Sequence, residues 1–176
     1  MSIKSICFTI GNMESGGAER VIANLSNNFA EKGYKIDIIA ISTNKNDSFY
    51  KLDQRVQLHT LYASKRIKKF FSRVKRLKDK FNEIKPDVII SFLPHVNVYT
   101  HFANRKLKIK HIVSERNNPY IDPKNKLFRI LKKYVFFKAD GCVFQTNDSL
   151  NYYGKKIKQK SAVIYNPVNI NAILND

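Results

Sequence analysis

The chain is 176 residues long, 43% hydrophobic and 12% aromatic, which suits one full domain with a sizeable buried core and excludes wholesale disorder. Lys and Arg total 32 against 14 Asp and Glu, and the net charge of +18 calls for an anionic partner: nucleic acid, anionic lipid or a phosphorylated substrate. No apolar run approaches the roughly 20 residues that span a bilayer, Ser2, Lys4 and Ser5 interrupt any signal-peptide core, and Cys7 and Cys142 are too few for a disulfide framework or a four-ligand metal site. Both cysteines read as small reduced core residues of a cytosolic protein.

Residues 3–10 read as a buried strand. Gly16-Gly17-Ala18-Glu19-Arg20 follows and opens a helical segment, in which Val21, Ile22, Leu25 and Phe29 share one face. Lys32-Gly33 stops that helix, 34–42 form a second strand, and the alternating residues 56–62 form a third after a polar loop. A long basic helix is predicted over 64–84, stopped by Pro86, and the near-continuous apolar run 87–93 suits a strand buried on both faces. Then come a helix from Pro94 to about 105, a strand at 110–114, a turn-rich stretch 115–125 and a helix over 124–137. A strand at 140–145, a short helix capped by Thr146 or Asn147, and a strand at 161–165 closed by Asn166-Pro167 complete the chain. This alternation predicts an α/β fold, a doubly wound and mainly parallel Rossmann-like sheet with helices on both faces.

In such a sheet ligands bind at the carboxyl edge of the strands, which selects 11–18, 94–97 and 114–117. The same polar rim would also crown a sheet that binds nothing. Gly16 and Gly17 let another group approach the backbone where a helix N-terminus offers unpaired N–H groups to an anion. The loop is neither of the common nucleotide motifs. Gly17-Ala18 stand where a P-loop needs its lysine and hydroxyl, and neither Gly11 nor Gly16 has the partners of a dinucleotide fingerprint.

Five collinear segments resemble the N-terminal domain of GT-B glycosyltransferases of the retaining family 4. They are Gly16-Gly17-Ala18-Glu19-Arg20, Pro86-Asp87-Val88-Ile89-Ile90-Ser91, Ser114-Glu115-Arg116-Asn117-Asn118-Pro119, Ala139-Asp140 with Val143-Phe144-Gln145-Thr146, and Val163-Ile164-Tyr165-Asn166-Pro167-Val168. The resemblance implies a two-domain enzyme that binds a nucleotide sugar, its co-substrate, mainly in a C-terminal domain and a glycan or lipid-linked acceptor in this one. Residues 1–166 would be the acceptor-binding domain and 167–176 the start of the linker, with Asn166 and Pro167 as hinge. The donor domain with its paired glutamates is missing from the sequence, so a unit inactive alone, or one member of a split pair, is expected. The alternative is a non-catalytic module that lends acceptor and membrane contacts to a partner chain. No metal or other cofactor is expected, and no Asp-x-Asp motif or His/Cys cluster stands in the sequence.

The resemblance sets Gly16 and Gly17 over the donor diphosphate, and Arg20 in the first helical turn reaches the same phosphates or only solvent. At the carboxyl edge His95, Glu115 and Arg116 are the catalytic candidates, and Asn97, Ser114 and Asn117 the acceptor-binding ones. His95 would hydrogen-bond an acceptor or polarise a hydroxyl, or else serve as a structural donor. Glu115 and Arg116 form an internal ion pair, or Arg116 binds phosphate while Glu115 faces a sugar hydroxyl. Asn117 and Asn118 also suit the turn before Pro119, and His59, His101 and His111 read as structural. Residues 65–80 carry nine basic side chains and one acid, with Ile67, Phe70, Phe71, Val74 and Leu77 on one stripe. Either the stripe packs on the sheet, or Lys65, Arg66, Lys68, Lys69, Phe70, Arg73 and Arg76 meet an anionic membrane at the inner face of the plasma membrane of a cytoplasmic protein. Nucleic acid is disfavoured, since zinc-finger spacing, RNP aromatics and a KH-type glycine loop are all missing.

Overall fold

The computed structural model describes residues 2–61 and 70–166. The first half runs β1 (Ser5–Ile10), α1 (Gly17–Glu31), β2 (Lys35–Ala40), β3 (Val56–Thr60), α2 (Phe70–Ile84), β4 (Val88–Phe92) and α3 (Pro94–Asn104). The second runs β5 (Lys110–Glu115), α4 (Lys126–Lys138), β6 (Gly141–Phe144), α5 (Asn147–Asn151), α6 (Lys155–Lys158) and β7 (Ser161–Val163). The seven strands make one parallel sheet in the order β3-β2-β1-β4-β5-β6-β7. This is the predicted doubly wound, Rossmann-like class, with its topological switch between β1 and β4.

The strands are apolar on successive residues because both faces are covered. Ile6, Phe8 and Ile10 of β1 join Ile36 and Ile38 of β2 against Val21 and Ile22 of α1. On the other face Cys7, Ile39 and Ile89 meet Leu77 and Phe81 of α2 and Val96 of α3. Further along, Val113, Cys142 and Phe144 pack under Val135 and Phe136 of α4. Both cysteines are free and buried.

Helix α1 ends in a left-handed turn. Gly33 takes φ +84°, donating its N–H to the Ala30 carbonyl while Tyr34 donates to Phe29, so two orphan carbonyls are satisfied. At the amino edge Asp87 accepts from the backbone N–H groups of Lys4 and Ser5 and from the Ser5 hydroxyl. These bonds hold its pKa below the usual carboxylate value and tie β1 to β4. The Pro-Asp segment therefore has a structural task away from the ligand edge.

Candidate functional site

The carboxyl edge of β1 leads through Gly11 into the loop before α1. Gly16 is the N-cap, in extended backbone at φ 176°, so its conformation is open to any residue. A Cβ there would lie 2.2 Å from Oε2 of Glu19, the movable end of a side chain whose carboxylate folds back over the cap. Tyr50 completes the clasp, donating its hydroxyl to the Gly16 carbonyl and accepting from the Gly16 N–H. Gly17 differs, because a Cβ there would meet nothing within 4 Å. The open member of the pair is thus Gly17, and Gly16 is covered by Glu19. Arg20 is exposed on the first turn of α1 and is not among the residues lining the neighbouring cavity.

That cavity, about 350 Å³, lies between the N-terminus of α1 and the ends of β4, β5 and β6, and includes Gly17, Glu19, Leu93, Arg116 and Asn117. Leu93 has φ 76°, a left-handed conformation that costs a non-glycine residue about 1–3 kcal/mol and is characteristic of functional sites. Its ψ of 141° follows from Pro94, which bars the helical region to the residue before it and starts α3 at N1.

Arg116 is the central charge. Its guanidinium lies over the Phe92 ring, 4.7 Å from the centroid, and Nη1 donates to Asn166 Oδ1 at 2.9 Å. Nε is buried without a partner, and no carboxylate pairs with this arginine among the described residues. Burial lowers its pKa to about 10, which leaves it charged at neutral pH. Asn166 also accepts from Gln145, so the residue expected at the hinge is held against the site. Pro167 lies outside the described residues.

Glu115 points the other way. Successive strand residues face opposite sides of a sheet, and Glu115 goes under α4, where its side chain and that of Lys132 are fully buried at 2.7 Å. Tyr153 donates its hydroxyl to the same carboxylate at 2.7 Å, and Lys132 also donates to the Asp122 carbonyl. Burial, then the Glu115 charge, pushes the Tyr153 hydroxyl far above its ordinary pKa. The expectation that Glu115 faces a sugar hydroxyl is therefore corrected, as is its pairing with Arg116. Lys132 was not foreseen as a partner. The helical period does place it on the inward stripe with Phe128, Val135 and Phe136.

Two acceptor candidates are also buried. Asn97 is fully enclosed in the first turn of α3 and donates to the Ser114 carbonyl, so it ties α3 to β5 rather than facing an acceptor. Ser114 is 1% exposed with its hydroxyl buried and without a partner, and together with Arg116 it lines a groove of about 470 Å³ floored by Ile90, Phe92, Ile112 and Val143. Asn117 is exposed and donates to Asp122, so it both shapes the loop and lines the cavity. His95 stands at the surface on the first turn of α3, its Nε2 within 3.8 Å of where a Cβ on Gly11 would be. Desolvation, then the charge of Arg73, lowers its pKa, and Asp122 opposes this. His59, His101 and His111 take structural places: His59 bonds the buried Asp37, and His111 bonds Ser91 beneath the stacked ring of His101.

In α2, Phe70 follows the sheet-packing alternative and not the membrane one, packing on Tyr99 and Phe102, while Phe71 is 81% exposed. Arg73 is half-buried over the Tyr99 ring, and Arg76 is half-buried on the same helix. Lys65, Arg66, Lys68 and Lys69 lie outside the described residues. Among the described residues no helix is long and apolar enough to cross a membrane, and no group of three His, Cys, Asp or Glu could hold a metal ion.

Comparison with known proteins places this geometry. The chain is 34% identical over 165 residues to a Campylobacter jejuni enzyme, GalNAc-alpha-(1->4)-GalNAc-alpha-(1->3)-diNAcBac-PP-undecaprenol alpha-1,4-N-acetyl-D-galactosaminyltransferase, matching 88% of this chain and 44% of that one. Among solved structures it resembles sucrose-phosphate synthase from Thermosynechococcus elongatus, with a TM-score of 0.75 at 12% identity over 98% of this chain and 53% of that one. It also resembles Anabaena HepE in complex with UDP-glucose, with a TM-score of 0.66 at 15% identity over 95% of this chain and 45% of that one. At such identities the structural likeness is one of fold, one Rossmann-like half of the GT-B architecture. The chain spans about half the length of the curated relatives it matches. A family model for Glycosyltransferase Family 4 covers residues 15–172, nearly the whole chain, and the chain belongs to that family.

Proposed function

We propose that this unit is the acceptor-side half of a retaining glycosyltransferase, which moves a hexose or amino-hexose from a nucleotide sugar to a lipid-linked precursor of a bacterial surface polysaccharide. Arg116 carries the reading. A half-buried guanidinium with no carboxylate partner among the described residues is costly to desolvate, and it shares a cavity with Gly17 at the start of α1. A diphosphate entering there would meet the cation and the unpaired N–H groups of the helix together. As the bond from sugar to diphosphate breaks, negative charge builds on the leaving oxygen, where a cation and a helix N-terminus would stabilise it. On this reading the leaving group needs no metal.

Desolvation favours the neutral imidazole of His95, which could accept a proton from an acceptor hydroxyl or orient it. The undecaprenol diphosphate in the name of the Campylobacter relative supports the acceptor class, and the UDP-glucose of the Anabaena complex is in keeping with a nucleotide-sugar donor. The nucleotide and sugar are held mainly by a second domain across a hinge at Asn166 and Pro167. The unit alone is then inactive, and it works at the inner face of the plasma membrane.

Thermal melting of the chain with inorganic pyrophosphate and with UDP-glucose tests the site. Pyrophosphate at millimolar concentration should raise the melting temperature by a few degrees, with Arg116→Ala abolishing the rise. UDP-glucose should do no better than pyrophosphate. Tight donor binding by this chain, or a pyrophosphate effect unchanged in Arg116→Ala, would contradict the proposal.

A further inference from the structure

Helix α4 buries one stripe and leaves a second one open. Its inward residues are Lys132, Val135 and Phe136, yet Leu127 and Ile130 are 64% and 66% exposed, and Tyr134 and Phe137 are exposed as well. These four recur at i, i+3, i+7 and i+10, so at 100° per residue they occupy about 80° of the circumference. Ile121, at the approach to the helix, is 66% exposed. Cations rim the stripe. Lys126 and Lys133 flank one side and Lys138 the other, and Lys138 and Lys156 each sit 5.7 Å from the Phe137 ring centroid. The helix contains no acid, and Asp122, the acid in the loop before it, is engaged by Asn117.

We propose that this outward stripe of α4 lies on an anionic bilayer, with its apolar residues at the level of the acyl boundary and its lysines among the head groups. Two observations select that occupant. The stripe is a convex helix face rather than a groove, so it suits a plane better than an inserted helix or strand. The cationic rim on a chain of charge +18 is complementary to anionic lipid, and near such a surface each Lys or Arg adds to binding. The seat would bring the loop after β5, with Arg116 and Asn117, next to the head-group layer. The inference rests on the lipid-linked acceptor only for its purpose, because the surface can be tested with no sugar transfer at all.

Flotation with phosphatidylcholine vesicles, with and without phosphatidylglycerol, tests it on the chain, on Ile130→Glu/Tyr134→Glu and on Phe71→Glu. Both altered α4 side chains are exposed, and a far-ultraviolet melt confirms that the variants fold. The chain should float with the anionic vesicles only, the double variant should lose about tenfold or more in partitioning, and Phe71→Glu should lose less than that. Failure to float, flotation of the double variant like the parent, or an equal or greater loss in Phe71→Glu would overturn the surface. Pyrophosphate binding at Arg116 would stand through any of those failures.

Discussion

His111 is buried in the middle of the sheet with Nε2 on the Ser91 hydroxyl at 2.8 Å and Nδ1 without a partner. Burial, then the neighbouring His101, lowers its pKa to about 3, against about 6.5 for a free imidazole. Between those values the unfolded chain holds a proton that the folded chain refuses. Stability is therefore complete above pH 6.5 and falls as the pH drops towards 3. Between pH 8 and pH 5 the loss from this one group should be about 2 kcal/mol. Urea unfolding at both pH values checks this: His111→Gln should flatten the dependence, and an equally steep fall in the variant would contradict the assignment. The neighbouring residues Glu115 and Arg116 show what single positions reveal and conceal. Both were readable as polar residues at the ligand edge, but only strand alternation separates them, sending Arg116 to the cavity and Glu115 beneath α4.

Helix α4 is joined to β5 by that buried pair. Removing one charge strands the other, so Lys132→Met should destabilise by about 3–5 kcal/mol, whereas Lys132→Met with Glu115→Leu should recover most of it. Melting of the three proteins measures this, and a single variant as stable as its parent would refute the role assigned to Lys132. The elements themselves were legible because their periods are distinct: Asp87-Val88-Ile89-Ile90 can only be a strand covered on both faces, and Lys32-Gly33 can only end a helix. Three things were hidden. Lys132 looks like any lysine of a basic helix until the inward stripe is counted across it. Leu93 gives no sign of its left-handed backbone beyond the Pro94 that follows. Phe70 and Phe71 are adjacent in one motif, and tertiary packing alone decides that the first joins Tyr99 and Phe102 while the second faces outward.

Across the molecule the chemistry collects at one edge. The switch between β1 and β4 aligns Gly11, Leu93 and His95, and the next two strands add Arg116, Asn117 and Gln145. The amino edge carries the Asp87 ties instead. Fold class was legible, because alternation of strands and helices implies a doubly wound parallel sheet, whereas the strand order was not. Which polar residues are open was not, because burial depends on neighbours far away in sequence, such as Lys132 and Tyr153 around Glu115. A unit of this kind, belonging to a family whose curated relatives are about twice its length, should act only when both walls of a cleft are present. The decisive measurement is sugar transfer from a panel of nucleotide sugars to an undecaprenyl-diphosphate-linked acceptor, by the chain alone and with a donor-binding domain of the same family joined after residue 176. No turnover alone, turnover when joined, and a roughly hundredfold loss on Arg116→Ala are predicted. Turnover by the chain alone, or a joined enzyme indifferent to Arg116→Ala, would contradict it.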